Sequence, residues 1–266
     1  MKIFFLGTSG SEGIPCPGCH CPSCEEARRQ TVFRRQPSAL LVFTERGKAL
    51  LVDAGMDVTP LIDGLPLGGV LLTHWHADHF SGLARLSWHQ APLPIVAPTS
   101  PLAKAVIAPR GTLKSPRPFE AFRLAGLEIT PFPLNHAGFP TYGYLLREEE
   151  TDHRLAILWD TKGCPPESLS LFEKKATLAL VDATYAPEVS AANHNNLEEA
   201  ISLGLSLAEE VFLTHISHNN WPALLIETYL ATHCPHEPVA LAYDGLKHEL
   251  AVSLKNSLSL WTAAVV

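Results

Sequence analysis

The chain alternates short apolar runs with clusters of turn-forming residues. The runs are four to seven residues long and rich in Val, Ile, Leu and Phe, a pattern typical of buried β-strands. The pattern predicts strands at residues 2–7, 38–43, 48–53, 69–74, 94–97, 127–132, 142–147, 155–160, 178–183, 210–215 and 238–244. So many strands need helices to cover them, which indicates an α/β fold.

Two longer stretches have the periodicity of amphipathic helices, at residues 196–208 and 222–232. Asn195 or Asn196 is a suitable N-cap for the first of them. A shorter helix is expected at 100–107, within a Pro-rich segment that otherwise resembles a surface connection. No linker divides the chain, so we expect one domain over residues 1–266.

Several apolar runs end in a residue that can bind metal. His74, Asp160 and His215 each end a predicted strand, and His136 follows the similar run PFPLNH. Functional side chains in α/β proteins gather beyond strand ends, where loops converge on one crevice. These four residues therefore predict a single site.

The densest cluster is Thr73-His74-Trp75-His76-Ala77-Asp78-His79. On a helix, His74 and His76 would point about 200° apart and could not share a metal ion. In a loop, both imidazoles can face one ion while Asp78 and His79 face a second. The sequence thus predicts two neighbouring ions.

His136, Asp160 and His215 are the natural sources of the remaining ligands. A carboxylate such as Asp160 can bridge two divalent ions about 3.5–4 Å apart, as in hydrolytic two-metal sites. Taken singly, each residue also has a plain structural interpretation: a surface His, a helix cap and a hydrogen-bonded core His. The neighbouring His-rich segment favours the metal interpretation for all three.

A second cluster places Cys19, Cys21 and Cys24 within six residues. Thiolates at this spacing can hold one tetrahedral structural zinc, which needs a fourth ligand. The chain offers Cys16, His20 or the distant His218. The alternative is a surface loop with reduced thiols. We interpret residues 16–24 as a small zinc-binding loop.

Charge and composition exclude several classes of partner. The 266 residues include 20 Lys and Arg against 27 Asp and Glu, a formal net charge of −7, with no lysine-rich block. Binding of long nucleic acid by counterion release is therefore not expected. No apolar run approaches the ~20 residues of a membrane span, and the N-terminal segment lacks the pattern of a secretory signal. We expect a cytoplasmic protein with a small-molecule substrate.

The His-x-His-x-Asp-His segment, followed by a separate His, an Asp and a last His, resembles the metallo-β-lactamase superfamily. The resemblance implies an αββα sandwich with a dinuclear site at its edge. It implies that one ion is bound by His74, His76 and His136, that the other is bound by Asp78, His79 and His215, and that Asp160 bridges the two. It also implies that Asp53, in LLVDAG, orients a ligand His.

Within the superfamily the sequence is similar to the tRNase Z-like branch, and most to the PhnP phosphodiesterase family of the carbon-phosphorus lyase pathway. The matching segments include GTSGSEGIPCPGCHCPSC, LLTHWHADHFSGL, NHNNL and LTHISH. This resemblance implies a structural zinc held by Cys19, Cys21, Cys24 and His218. Cys16 departs from the pattern, which leaves a four-Cys site open. The last 18 or so residues match nothing in the family.

His194, in AANHNNLEEA, is by itself a solvated loop histidine. The resemblance implies that it donates a proton to the leaving oxygen, as the matching His does in phosphodiesterase members. Asp78 and Asp160 join it as the catalytic residues. A basic cluster, Arg28, Arg29, Arg34 and Arg35, is a candidate contact for a substrate phosphate, although a solvated face is the simpler explanation for at least two of the four.

The resemblance therefore implies a metal-dependent phosphodiesterase with two active-site ions, Zn or Mn, and one structural Zn. The implied reaction opens 5-phosphoribosyl 1,2-cyclic phosphate to ribose 1,5-bisphosphate in phosphonate catabolism. The alternatives are a tRNA 3'-end processing endonuclease and a non-catalytic protein of the pyrroloquinoline quinone accessory type. Thioester and lactone hydrolases use a similar centre without the Cys loop. The oligomeric state is left open, a homodimer included.

Overall fold

The strands of this computed structural model, which describes residues 1–86, 88–106 and 111–250, form two mixed β-sheets. The strands are β1 Lys2–Gly7, β2 Ala39–Phe43, β3 Ala49–Ala54, β4 Leu67–Leu71, β5 Leu93–Val96, β6 Gly111–Lys114, β7 Phe122–Leu124, β8 Leu127–Pro133, β9 Tyr142–Arg147, β10 Arg154–Leu158, β11 Ala176–Asp182, β12 Ala208–Thr214, β13 Val239–Leu241 and β14 Lys247–Glu249. Their spatial orders are β14-β1-β2-β3-β4-β5-β6 and β13-β12-β11-β10-β9-β8-β7.

Eight helices occur in the described ranges, in the segments between strands. They are α1 Pro22–Arg29, α2 Thr59–Ile62, α3 Ala77–Phe80, α4 Leu83–Leu86, α5 Ala103–Val106, α6 Pro166–Leu169, α7 Leu197–Leu207 and α8 Ala223–His233, with 3₁₀ turns at Thr31–Phe33 and Ser170–Phe172. None of the helices in the described ranges has the length and hydrophobicity that a membrane span requires.

The first sheet buries apolar side chains on both of its faces. Successive side chains of a strand point to opposite faces, so neighbouring residues join different clusters. In β2, Leu40 and Val42 join the core between the two sheets, whereas Leu41 packs with Leu83 and Leu86 of α4 on the outer face. Helix α7 packs on β11 and β12 of the second sheet. The layers are therefore helix, sheet, sheet and helix, which confirms the predicted αββα sandwich and its single-domain organisation.

Every predicted strand overlaps an observed one, and the helices expected at 196–208 and 222–232 are α7 and α8. Asn196 caps α7 by accepting the Glu199 N–H at 3.0 Å. The short helix expected at 100–107 is observed as α5, and residue 107 lies outside the described residues. The unmatched C-terminal segment also lies largely outside them, since residues 251–266 are not described. The domain's full extent of 1–266 stays a prediction.

Three strands, β6, β7 and β14, were not predicted, and neither were helix α1, the one-turn helices α2, α3, α4 and α6 or the two 3₁₀ turns. The three strands are three or four residues long, and each lies at or near a sheet edge, where little apolar patterning is required. β6 lies in the segment expected to be a surface connection, so that expectation was wrong there. Helix α1 begins at Pro22, inside the region assigned to the Cys loop, and it carries Cys24.

Candidate metal centre

The His-rich segment leaves the first sheet after β4, which ends at Leu71. His74 and His76 lie in the loop that follows, as expected from their spacing. Asp78 and His79 instead lie in the short helix α3. The turn between loop and helix lets both pairs face the same side, which neither a continuous helix nor an extended strand would allow.

All seven predicted ligands of the dinuclear site come together at one edge of the two sheets. The ligand atoms of one group lie within 4.8 Å of one another, and this group contains His74, His76, His136 and Asp160. A second group, with the same limit, contains Asp78, His79 and His215. These are the two sets implied by the family resemblance.

Asp160 lies between the two sets. Its Oδ1 is 4.0 Å from Nε2 of both His74 and His136, and its Oδ2 is 2.9 Å from His79 Nε2 and 3.3 Å from His215 Nε2. Each oxygen of one carboxylate therefore faces a different set of imidazoles. This is the arrangement that a bridging ligand requires.

The donor set fits divalent cations. His79 Nε2, His215 Nε2 and Asp160 Oδ2 are buried and have no hydrogen-bond partner in the described structure, although they point toward one another. Buried polar atoms are normally paired, so three unpaired atoms at one point indicate a position for a cation. Imidazole nitrogens and carboxylate oxygens suit Zn, Mn or Fe.

The backbone is left-handed at three residues of the centre. Asp53, Asp160 and His215 have φ of 54°, 52° and 57°, which non-glycine residues rarely adopt. Such conformations cost about 1–3 kcal/mol each and persist at functional sites where the surroundings impose them. Gly55 is needed for close packing, because a Cβ there would lie 1.8 Å from the Asp78 carbonyl oxygen.

Asp53 organises the ligands from behind. Its Oδ2 is 2.7 Å from His79 Nδ1, and the carboxylate also accepts the Thr73 N–H and Thr73 hydroxyl, each at 2.8 Å. The Thr73 hydroxyl lies 3.0 Å from His74 Nδ1. These bonds place the His79 proton on Nδ1 and leave Nε2 free for a metal, the orienting role that the resemblance implied for Asp53.

The ion-free centre holds opposite charges close together. Burial lowers the pKa of His74, His76 and His136. Burial also opposes the charging of His215, but the Asp160 and Asp78 carboxylates outweigh it and raise the pKa of His215 to about 9. Protonation of His215 and binding of a cation by its imidazole therefore compete.

His194 lies beside the dinuclear site. Its Nδ1 is 2.7 Å from Asp182 Oδ2 and its Nε2 is 3.8 Å from Asp160 Oδ1. One potential ligand atom from each of His194, Asp160 and His215 lies within 4.8 Å of the other two. The bond to Asp182 directs Nε2 toward the centre, from where it can donate a proton or bind an ion.

Asp182 and Thr184 were missed by the sequence reasoning. Asp182 accepts bonds from Thr161 N–H, Thr184 N–H and the Thr184 hydroxyl as well as from His194. Thr184 Oγ1 also lies 2.9 Å from His215 Nδ1. One signal was available, because β11 ends at Asp182, just as other apolar runs end in a residue that can bind metal.

The cysteine cluster lies next to this centre. Cys19 Sγ and Cys21 Sγ are 3.3 and 3.7 Å from His218 Nδ1, and Cys24 completes a group of four potential ligands within 4.8 Å. All six cysteines are free. Cys16 is outside the group and donates its backbone N–H to Cys24 Sγ. The fourth potential ligand is therefore His218, three residues after His215.

A cavity of about 470 Å³ opens onto the dinuclear site. The predicted basic cluster does not line it. Arg28 pairs with Glu25, Arg34 donates to a backbone carbonyl, and Arg35 is buried against Thr8 and Ala242. Arg29 is exposed. The prediction that these arginines contact a substrate phosphate gains no support from their positions.

Residues 48–216 match the family model described as the beta-lactamase superfamily domain. The chain is 30% identical to an octanoyltransferase from Porphyromonas gingivalis over 93% of this chain but 51% of that protein, so it spans about half of that relative's length. A solved diphosphatase of the PhnP family has a TM-score of 0.76 and 25% identity over 93% of this chain and 96% of its own.

The fold is also shared with Zn²⁺-bound PqqB from Methylobacterium extorquens, with a TM-score of 0.75 and 21% identity over 94% of this chain and all of that one. The family match covers both His-rich strand ends and Asp160, and the predicted metal ligands converge on one centre. The chain therefore belongs to the metallo-β-lactamase superfamily of metal-dependent hydrolases.

Proposed function

We propose that the protein hydrolyses small cyclic phosphodiesters at a dinuclear metal centre. The observation that carries this proposal is His194, held by Asp182 with its Nε2 facing the bridging carboxylate Asp160. Breaking a phosphodiester bond to an alkoxide requires a proton donor on the leaving-group side of phosphorus. The similarity to a PhnP-family diphosphatase supports the same class of reaction.

Each part of the site has a role in this reaction. Bound divalent ions would lower the pKa of water and neutralise charge on the phosphoryl oxygens. His74, His76, His136, Asp78, His79 and His215 would hold them, with Asp160 between. A water oxygen bonds to phosphorus and its proton passes to solvent, the bond from phosphorus to the sugar oxygen breaks, and His194 gives that oxygen its proton and is reprotonated from solvent. Asp182 stabilises the protonated imidazole before the transfer.

The cavity supports a small substrate over a folded RNA. It holds about 470 Å³, near the lower end of the usual range for ligand sites, and the chain carries a net charge of −7. An accessory role without catalysis is also less well supported, because all seven ligand residues are present in one centre. The substrate inferred from the family resemblance, 5-phosphoribosyl 1,2-cyclic phosphate, stays a prediction, as do phosphonate metabolism and the cytoplasmic location.

A substrate panel tests the proposal. The purified protein, loaded with Zn or Mn, is assayed on bis-p-nitrophenyl phosphate, a 2',3'-cyclic nucleotide, a thioester and a precursor tRNA. We expect turnover of the two diesters and no comparable turnover of the others. Faster hydrolysis of the thioester or the tRNA would contradict the proposal.

The His194→Ala variant tests the proton donor within that panel. We expect its metal content to be unchanged and its rate on the cyclic nucleotide to fall by roughly 10²- to 10⁴-fold. The loss on the p-nitrophenyl ester should be much smaller, because p-nitrophenolate leaves without a proton. Equal losses would show that His194 positions substrate, and loss of metal would show that it is a ligand.

A further inference from the structure

The cavity beside the metal centre lacks a cationic side chain. Its lining residues in the described part of the chain include neither Lys nor Arg. Away from the metal ligands, the wall instead presents Ser11, Glu12, Tyr185, Asn193 and Asn219. Hydroxyls, amides and one carboxylate can bind hydroxyl groups, whereas a phosphate group outside the metal centre would find no opposite charge.

Two cationic residues, Lys162 and Arg35, are bonded to other groups of the protein. Lys162, two residues after Asp160, has its ammonium 2.6 Å from both carboxylate oxygens of Glu199. Arg35 is 2% exposed and bonded to Thr8 and Ala242. Neither side chain lines the cavity.

Glu12 is held in place at the cavity wall. Its Oε1 accepts the Ser217 hydroxyl at 2.5 Å and the His218 N–H at 3.3 Å. A methyl group placed on Gly10 would lie 3.0 Å from Cε1 of His215 and 3.7 Å from Glu12 Oε2, so only Gly10 separates this carboxylate from a metal ligand.

The charge of Glu12 also acts on Tyr185, another residue that lines the cavity. Burial raises the pKa of the Tyr185 hydroxyl, and the Asp182 and Glu12 carboxylates raise it further. Tyr185 also packs at 6.0 Å against the ring of His194. His194, Tyr185 and Glu12 all line the same cavity, so a leaving group protonated by His194 would lie in a cavity that has a carboxylate in its wall.

We propose, building on the phosphodiesterase function above, that the substrate's leaving group is neutral and carries hydroxyl groups, and that Glu12 disfavours leaving groups with a second phosphate. A ribonucleoside or glycerol cyclic phosphate meets this description. The 5-phosphoribosyl cyclic phosphate does not, since its 5-phosphate would lie in a cavity whose described lining offers Glu12 and amides but neither Lys nor Arg.

The test compares two substrates that differ only by that phosphate: adenosine 2',3'-cyclic phosphate and its 5'-phosphorylated derivative. We expect the metal-loaded protein to prefer the first by at least about tenfold in kcat/KM. Raising the ionic strength from about 0.02 to about 0.5 M should narrow this preference, because salt screens repulsion between charges.

Two variants and a control test whether the charge of Glu12 causes the substrate preference. Glu12→Gln keeps an oxygen that can accept the Ser217 and His218 bonds, and we expect it to reduce the preference by about tenfold and to remove its salt dependence. Asn219→Lys adds a cation at an exposed position and should favour the phosphorylated substrate. Glu209→Gln, an equal change in net charge at the opposite end of β12, should leave the preference unaltered.

Equal or faster turnover of the 5'-phosphorylated substrate by the unmodified protein would overturn this inference while leaving the phosphodiesterase proposal intact. A preference that persists unchanged in both Glu12→Gln and Asn219→Lys would also overturn it. Failure to hydrolyse either cyclic phosphate, or bis-p-nitrophenyl phosphate, would instead refute the proposed function itself.

Discussion

Replacing Asp53 with Asn should weaken metal binding more than it weakens the fold. The Asp53 carboxylate is fully buried and accepts three bonds: Thr73 N–H on Oδ1, and the Thr73 hydroxyl and His79 Nδ1–H on Oδ2. An amide of the same shape has only one oxygen. It can face Thr73 N–H or His79 Nδ1–H, but not both.

The cost depends on whether an ion is bound. With an ion on Nε2, the His79 proton must stay on Nδ1, so one buried donor is left unpaired. That costs about 1–3 kcal/mol, which corresponds to roughly 5- to 150-fold in metal affinity. Without an ion, burial is outweighed by the Asp160 and Asp53 carboxylates, which raise the pKa of His79. The Asn variant can then lose the Nδ1 proton while keeping the one on Nε2, 2.9 Å from Asp160 Oδ2. The ion-free fold therefore loses less.

The assay titrates zinc into the metal-free Asp53→Asn protein against a chromophoric chelator and measures urea unfolding with excess chelator present. We expect a tenfold to hundredfold weaker zinc affinity, the usual effect of losing a ligand's supporting partner, with a change in unfolding free energy of at most about 1 kcal/mol. Asp57→Asn is the matched control, since it removes the same charge at an exposed position. Unchanged zinc affinity in Asp53→Asn would refute this account of the hydrogen bonds.

Three further predictions concern the ions. Asp160→Ala should lower metal occupancy at both positions of the dinuclear site and abolish phosphodiester hydrolysis; full metal content with retained activity would place the bridge elsewhere. Elemental analysis should find about three metals per chain, one of them resisting mild chelation because thiolates hold it, whereas disulfides at Cys19, Cys21 and Cys24 would contradict this. Because the pKa of His215 is about 9 without an ion, metal uptake must displace its proton. Zinc affinity should therefore rise from about pH 7 to about pH 9, with proton release seen by calorimetry in buffers of different ionisation enthalpy.

The ligands could be predicted because they lie directly after apolar strands. A buried strand can be predicted from its run of apolar residues, and the residue that follows it has a defined position at the sheet edge. His74, Asp160 and His215 all belong to this class. The same rule applies to Asp182, the last residue of β11, which was not singled out. Its partner His194 is twelve residues away and meets it only through the fold.

The edges of the sheets were harder to predict. β6, β7 and β14 are short, and an edge strand needs apolar residues on fewer sides than a central one. Helix α1 was hidden for a different reason: its first residues, PSC, belong to the Cys cluster, and the metal interpretation took precedence over the helical signals of Pro22 at the first turn and the Glu and Arg residues that follow.

The charge around the cavity depends on which groups each charged side chain bonds to in the folded chain. Spacing in the sequence does not reveal those partners. Four arginines close together in the sequence were a candidate contact for a substrate phosphate, with a solvated face as the simpler explanation for at least two of them. In the folded chain, Arg28 and Arg34 are bonded within their own segment and Arg35 is inserted beneath Tyr243, 4.7 Å from its ring. Glu12, which has no unusual sequence context, instead reaches the cavity because its bonds to Ser217 and His218 join the N-terminal loop to the segment after β12. In the proposed reaction, the metal ligands would position the phosphodiester, and this loop contact would decide which leaving groups the cavity accepts.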